Sequence, residues 1–166
     1  MIGACQHDGV IVTPIGTVSC SRREAVDDDW DAEQASITLD VEHYGPESLA
    51  GLAEFSHVEV VYVFDRVDPG AVQRGTRRPR GNPDWPQVGI FAQRAKARPN
   101  RIGVTVCRLL DVRGATLHVA GLDAIDGTPV LDVKPYLAEF GPRGEVRQPD
   151  WSHALMAGYW TGPADG

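Results

Sequence analysis

The sequence predicts an all-β fold, a compact barrel with short helical additions, and three observations carry that prediction. Six or seven short runs rich in β-branched and aromatic residues recur at close intervals, only two stretches show helical spacing, and no G-x-G-x-x-G or Walker phosphate loop follows a strand. The last point argues against a Rossmann domain. At 166 residues the chain suits one domain, 1–166, with no repeat and no clear linker.

The first run, Val10–Val18, is β-branched and broken by Pro14, so it reads as a strand with its proline at an edge or bulge. Residues 19–31 form a polar loop in which Asp27, Asp28 and Asp29 precede Trp30. Such a run is either solvated surface or, with Trp30 as anchor, a flap over a ligand. Ala35–Glu42 sets Ile37, Leu39 and Val41 at period two, the mark of a half-buried strand, and Pro46 then opens a short helix carrying Leu49, Leu52 and Phe55. Ser56–Phe64 alternates Val58, Val60, Tyr62 and Phe64 as a core strand. Val67–Pro86 holds too many Gly and Pro for regular structure, and its arginines are expected on a mobile surface. Gln87–Ala92 is a short strand, Ile102–Val112 and Ala115–Ala120 flank Arg113-Gly114 as a hairpin, and Val130–Val133 is the last strand. In the tail, Trp151, Leu155, Met156, Tyr159 and Trp160 fall at helix-like intervals, a stripe expected to pack on the core or on a partner subunit.

A formal charge of -7 hides an asymmetry. Between Arg66 and Arg113 eleven Lys or Arg face three Asp, a local excess of +8, while the rest of the chain carries five basic and twenty acidic groups. Two outcomes are open: the basic segment forms one surface for a polyanion, or its arginines pair with the acidic half. Cys5, Cys20 and Cys107 are odd in number, widely spaced and without C-x-x-C, which predicts reduced thiols. His7, His43, His57, His118 and His153 show no metal-ligand spacing, so no metal is expected. His57 heads its strand either as a polar end residue or as a site residue. No nucleophile elbow is present. The N-terminus lacks the order of a signal peptide and no apolar run approaches the roughly 20 residues of a membrane span, so a cytoplasmic protein without membrane contact is expected.

Two runs concentrate chemistry. Gly89–Gly103 (GIFAQRAKARPNRIG) packs Arg94, Lys96, Arg98 and Arg101 into eight positions ahead of Ile102-Gly103, and Gly121–Tyr136 (GLDAIDGTPVLDVKPY) sets Asp123, Asp126 and Asp132 around a Gly-Thr-Pro turn before Lys134 and Tyr136. Together with Pro14-Ile15-Gly16, Leu52–His57 (LAEFSH) and Arg78-Pro79-Arg80, these runs resemble the TsaA/YaeB family, the TrmO-like tRNA methyltransferases, across most of residues 10–137. The resemblance implies a non-Rossmann β-barrel that binds S-adenosylmethionine, acts as a homodimer, and methylates the exocyclic N6 amine of threonylcarbamoyl-adenosine beside the tRNA anticodon. It leaves 138–166 to pack on the core or the partner.

Carried over position by position, the resemblance implies cofactor contacts at Asp65, Arg66, Arg94, Val104, Asp123, Ala124, Ile125 and Asp126, with Asp28, Asp29 and Trp30 in a covering loop. Asn100, Asp132, Lys134 and Tyr136 match motif positions expected to place the reacting base, and Arg78, Arg80, Lys96 and Arg98 are expected to contact substrate. Asp132 either accepts the released proton or pairs with Lys134 or Arg98 to brace the loops. The family run usually reads F-A-T-R-S-P-x-R-P-N-P-I-G; Gln93, Ala95, Lys96 and Arg101 replace two hydroxyls and two prolines and add two cations. That departure, and the lack of the C-terminal extension of better-known members, keeps two alternatives open: methylation of a small molecule, and S-adenosylmethionine binding without catalysis.

Overall fold

A computed structural model describes residues 9–161, so Cys5, His7 and the last five residues of the expected C-terminal packing segment lie outside the described residues. The elements run β1 (Gly16–Cys20), β2 (Gln34–Leu39), β3 (His57–Val63), β4 (Thr76–Arg77), β5 (Val88–Gly89), β6 (Ile102–Arg113), β7 (Thr116–Ala120), β8 (Pro129–Pro135) and helix α1 (Asp150–Met156). Six strands close into an antiparallel barrel in the order β1-β2-β7-β6-β3-β8, while β4 and β5 pair separately. The expected all-β barrel is the fold observed.

Alternation builds the wall. On β3, Val58, Val60 and Tyr62 turn inward, leaving Glu59, Val61 and Val63 on the outer face. Ile37, Leu117, Val119, Leu122 and Val130 meet them in the core. Full burial of such a side chain contributes roughly 1.5–3 kcal/mol. β3 and β6 share a seven-residue register, from His57↔Arg108 to Val63↔Ile102, whereas the β1–β8 seam has only Gly16↔Val130 and Thr17↔Pro129 in register. Backbone bonds from Ile15 to Val130 (2.7 Å) and from Val18 to Thr128 (3.0 Å) flank that seam.

Several boundaries differ from expectation, each for a local reason. The first strand is Gly16–Cys20 rather than Val10–Val18: Val10 and Ile11 are exposed, Pro14 has no N–H to give, and Gly16 approaches the Thr38 carbonyl so closely that a Cβ would lie 2.5 Å from it. β2 stops at Leu39 instead of Glu42 because the Asp40 carboxylate accepts from the Glu42 N–H (3.1 Å) and the His43 ring (2.8 Å), forming a turn that leaves Val41 in solvent. The expected helix after Pro46 is two 3₁₀ turns, Pro46–Leu49 and Leu52–Glu54, separated by Gly51 at φ 80°. Residues 67–86 are not loose surface: Pro79 is buried, Thr76–Arg77 is a strand, and Arg78 donates to the carbonyls of Pro83 (3.0 Å) and Trp85. The strand expected over Gln87–Ala92 shortens to β5 and a 3₁₀ turn, Ile90–Ala92. The β6–β7 hairpin forms as expected, with a register shift between Leu109 and Asp111.

Cys107 lies in the barrel interior, where burial, and then the charge of Asp123, push its thiol up to about 12. Alkylation at pH 8 followed by peptide mass mapping is expected to leave Cys107 unmodified in the native protein and to label it fully in denaturant. Labelling at equal rates in both conditions would mean the barrel is open there.

Candidate functional site

Strand direction alternates around the barrel, so one end collects the turns after β1, β3 and β7. Those turns are residues 21–33, 64–101 and 121–128. The acidic loop, the arginine-rich loops and the Asp123–Asp126 turn therefore share one rim, although up to about a hundred residues separate them in sequence.

Tyr62 joins the two chemistry-rich runs at the floor of this rim. Its ring packs on Gly103, where an added Cβ would stand 2.4 Å from two ring carbons, and its hydroxyl donates to the Asp123 carboxylate (2.7 Å). The Thr105 hydroxyl donates to the same carboxylate oxygen, and the Tyr159 hydroxyl donates to the other (2.5 Å). Three hydroxyls thus clasp Asp123, two from inside the barrel and one from the C-terminal segment. Burial first, and then the negative charge of Asp123, push both phenols well above the usual tyrosine range.

Beside the clasp, the Asp126 N–H donates to the Arg22 carbonyl (2.8 Å), and its carboxylate accepts from the Cys20 N–H (3.2 Å). Gly127 follows at φ 83°, a conformation that a side chain would strain. Arg66 spans the gap between loops, donating to the Asp126 carbonyl (2.6 Å) and to the Arg23 carbonyl (3.1 Å). Arg22 holds the acidic loop by donating to the carbonyls of Asp28 (2.8 Å) and Asp29 (2.7 Å), and its guanidinium lies 4.0 Å over the Trp30 ring. Trp30 is buried, and its indole N–H has no hydrogen-bond partner.

The cations expected to meet substrate are engaged with the protein itself. Arg80 forks onto Asp28 (2.6 and 3.1 Å), a pairing that raises its pKa, and Lys96 lies 3.7 Å from Asp27. Arg98 donates to the Gln93 carbonyl (3.1 Å); of the neighbouring cations, Arg94, expected at the cofactor, donates to the Val104 carbonyl and Arg101 to the Val67 carbonyl (3.1 Å). Of the two outcomes open for the basic segment, pairing with the acidic half is realised at Arg80, Lys96 and Arg108, the last 3.8 Å from Asp31.

The rim brings together Asp28, Asp29, Trp30, Arg66, Arg80, Arg94, Lys96 and Asp123–Asp126, with Asp65 exposed at its edge. Of the residues expected to place the base, Asn100 shares the rim end, in the loop before β6, while Asp132, Lys134 and Tyr136 do not. Asp132 and Lys134 pair with each other on the outer wall of β8, because Val133 between them turns to the core. Asp132 stands opposite Val61, which stands opposite Val104, so two strand spacings, roughly 10 Å, separate it from the Val104 backbone. Asn100 is exposed ahead of β6, and Tyr136 continues β8 toward the far end. Sequence reasoning missed Tyr62, Thr105, Tyr159 and Arg22 as rim residues. Among the described residues no cluster of His, Cys, Asp and Glu is arranged to hold a metal, and no helix is long and apolar enough to cross a membrane.

A closed six-stranded antiparallel barrel with a clasped carboxylate beside a polar loop at one end defines the class: a small non-Rossmann barrel with its candidate site on one rim. Residues 26–141 match the family described as the tRNA-methyltransferase O N-terminal domain. The chain belongs to that family. It is 40% identical over 102 residues to a human tRNA (adenine(37)-N6)-methyltransferase, covering 61% of this chain and 23% of the human protein. A probable S-adenosyl-L-methionine-binding protein from Pyrococcus abyssi is 36% identical over 144 residues, 81% of this chain and 72% of the relative. The crystal structure of TrmO from Pseudomonas aeruginosa superposes with a TM-score of 0.69 at 30% identity, covering 84% of this chain and 61% of that one. The chain therefore spans under a quarter of the human relative's length.

Proposed function

We propose that the rim binds S-adenosylmethionine and that the protein methylates N6 of an adenosine in tRNA, the threonylcarbamoyl-adenosine beside the anticodon. The observation that carries this reading is the rim itself: the loops that the family resemblance assigns to the cofactor meet at one end of one barrel. The side chains present suit the ligand. Carboxylates at Asp123 and Asp126 favour its cationic groups and ribose hydroxyls, Arg66 and Arg94 favour its carboxylate, and backbone at Ala124 and Ile125 suits an adenine edge. Trp30 adds a buried N–H that lacks an acceptor. When bound, S-adenosylmethionine supplies a methyl group on a positively charged sulfur, so the protein needs no nucleophile of its own.

Asp132 is the group proposed to take up the proton that the amine sheds, braced by Lys134, with Asn100 and Tyr136 orienting the base. Its place on the outer wall fits a homodimer in which one protomer's wall faces the other's rim. Half-exposed Ile102 and Val106 beside Val61 and Val63 make an apolar strip that supports such pairing. The proposed setting is the cytoplasm, where tRNA is processed.

A second reading is favoured by one observation: Arg78, Arg80, Lys96 and Arg98 already bond to carbonyls or to Asp27 and Asp28. The carboxylates of Asp28 and Asp27 offset the charge of Arg80 and Lys96 and weaken them as phosphate ligands, which favours a small-molecule methyl acceptor or S-adenosylmethionine binding without turnover. Incubation with labelled S-adenosylmethionine and tRNA carrying or lacking threonylcarbamoyl-adenosine, followed by nucleoside mass spectrometry, separates the readings. The expected result is a methylated nucleoside from the modified pool only, with RNA affinity falling steeply as salt rises. Cofactor uptake with no methylated nucleoside from either pool would transfer the case to the second reading.

A further inference from the structure

The family match ends at residue 141, yet the rim contains a contribution from beyond it. β8 delivers the chain to the end of the barrel opposite the rim at Pro135. The chain then returns, passes through α1, and lays residues 158–160 along the acidic loop. There the Asp29, Trp30 and Asp31 N–H groups donate in turn to the Gly158 (3.2 Å), Tyr159 (3.1 Å) and Trp160 (2.8 Å) carbonyls. Three successive backbone bonds make a strap, fastened to the same loop whose Asp28 and Asp29 carbonyls Arg22 holds.

The side chain of Tyr159 gives the strap its chemical point. Its hydroxyl reaches the Asp123 oxygen that the two interior hydroxyls leave open, while the Tyr159–Trp160 rings pack edge to face at 5.1 Å. A carboxylate held at one oxygen by Tyr62 and Thr105 still has rotational play about its second oxygen; a donor on that oxygen removes it. Because the same strap residue carries the carbonyl that receives the Trp30 N–H, loop and carboxylate are ordered by one segment.

We propose that the C-terminal segment is a working part of this rim and that Tyr159 is a positioning residue, locking the Asp123 carboxylate and the 29–31 loop into the arrangement that takes up the cofactor. The cofactor clause rests on the proposed function; the locking clause rests on the geometry alone. Tyr159 touches no reacting atom. It acts through Asp123 and the backbone of Trp30.

The test compares the unsubstituted chain with Tyr159→Phe, which deletes one hydroxyl and keeps the ring packing. Amide hydrogen exchange without ligand is expected to quicken about tenfold or more at Asp29, Trp30 and Asp31 and to stay unchanged in β3 and β6. Calorimetric titration with S-adenosylmethionine is expected to show about tenfold weaker binding in the variant, a change that a merely stabilising hydroxyl would not produce. Unchanged exchange at all three amides overturns the lock, and faster exchange with unaltered affinity overturns the positioning role. A wild-type protein that takes up no S-adenosylmethionine overturns the cofactor clause and the function on which it rests; the lock is then decided by exchange alone.

Discussion

Asp123→Ala is expected to lower the unfolding free energy by about 3 kcal/mol and to abolish measurable S-adenosylmethionine binding. The substitution leaves the Tyr62 and Thr105 hydroxyls without their carboxylate acceptor at sites that are 1% and 4% exposed. Each such orphan costs roughly 1–3 kcal/mol, and relief from desolvating the carboxylate offsets part of the sum. The Tyr62 hydroxyl keeps a bond to the Asp123 carbonyl (3.1 Å), which limits the loss further. Asp123→Asn should cost about 1 kcal/mol, since its amide oxygen still accepts and the Tyr159 hydroxyl can reverse to accept from its nitrogen. Urea denaturation of the three proteins checks the order. An alanine variant within about 0.5 kcal/mol of wild type would show that the clasp contributes nothing to stability.

The second large effect is steric. In Gly103→Ala the new methyl would stand 2.4 Å from two ring carbons of Tyr62 and 2.9 Å from its oxygen. The ring has nowhere to go: its hydroxyl is held by Asp123, and Phe64 packs against it edge-on at 5.3 Å. Relief must come from separating β3 and β6 at Tyr62↔Gly103, so a loss of about 3 kcal/mol and a disturbed rim are expected. Gly89→Ala is the matched control, because a Cβ there meets nothing within 4 Å and its φ of -60° suits any residue. Thermal melts should separate the two by several degrees, and equal melting points would mean the wall yields at Tyr62 without cost.

Strand identity was legible where one side chain type alternated with another. Val58, Val60 and Tyr62 announced β3 because burial on one face is the whole reason for that pattern. The boundaries were harder to read, since Asp40 ends β2 through a side-chain bond and Gly16 begins β1 through a backbone approach, neither of which leaves a periodic trace. The motif runs pointed to Asp123 and Asp126, but the clasp around Asp123 was invisible. Tyr62 and Thr105 sit in positions that alternation assigns to the core, and Tyr159 lies 36 residues away in a stripe that reads as packing. The arginines illustrate a further limit. A guanidinium that donates to a nearby carbonyl, as Arg94 does to Val104, is spelled with the same letter as one that waits for a phosphate.

The short seam between β1 and β8 has its own consequence. A cylinder whose shortest join has two residues in register, with a few backbone bonds on either side, is expected to split there first under heat or load, leaving β1 and β8 as a pair of raw margins. Such margins match those of any other molecule opened in the same way. Concentrated, half-melted samples are therefore expected to link by trading strands across the breach, so that the assembled species keep native-like β-structure instead of coagulating at random.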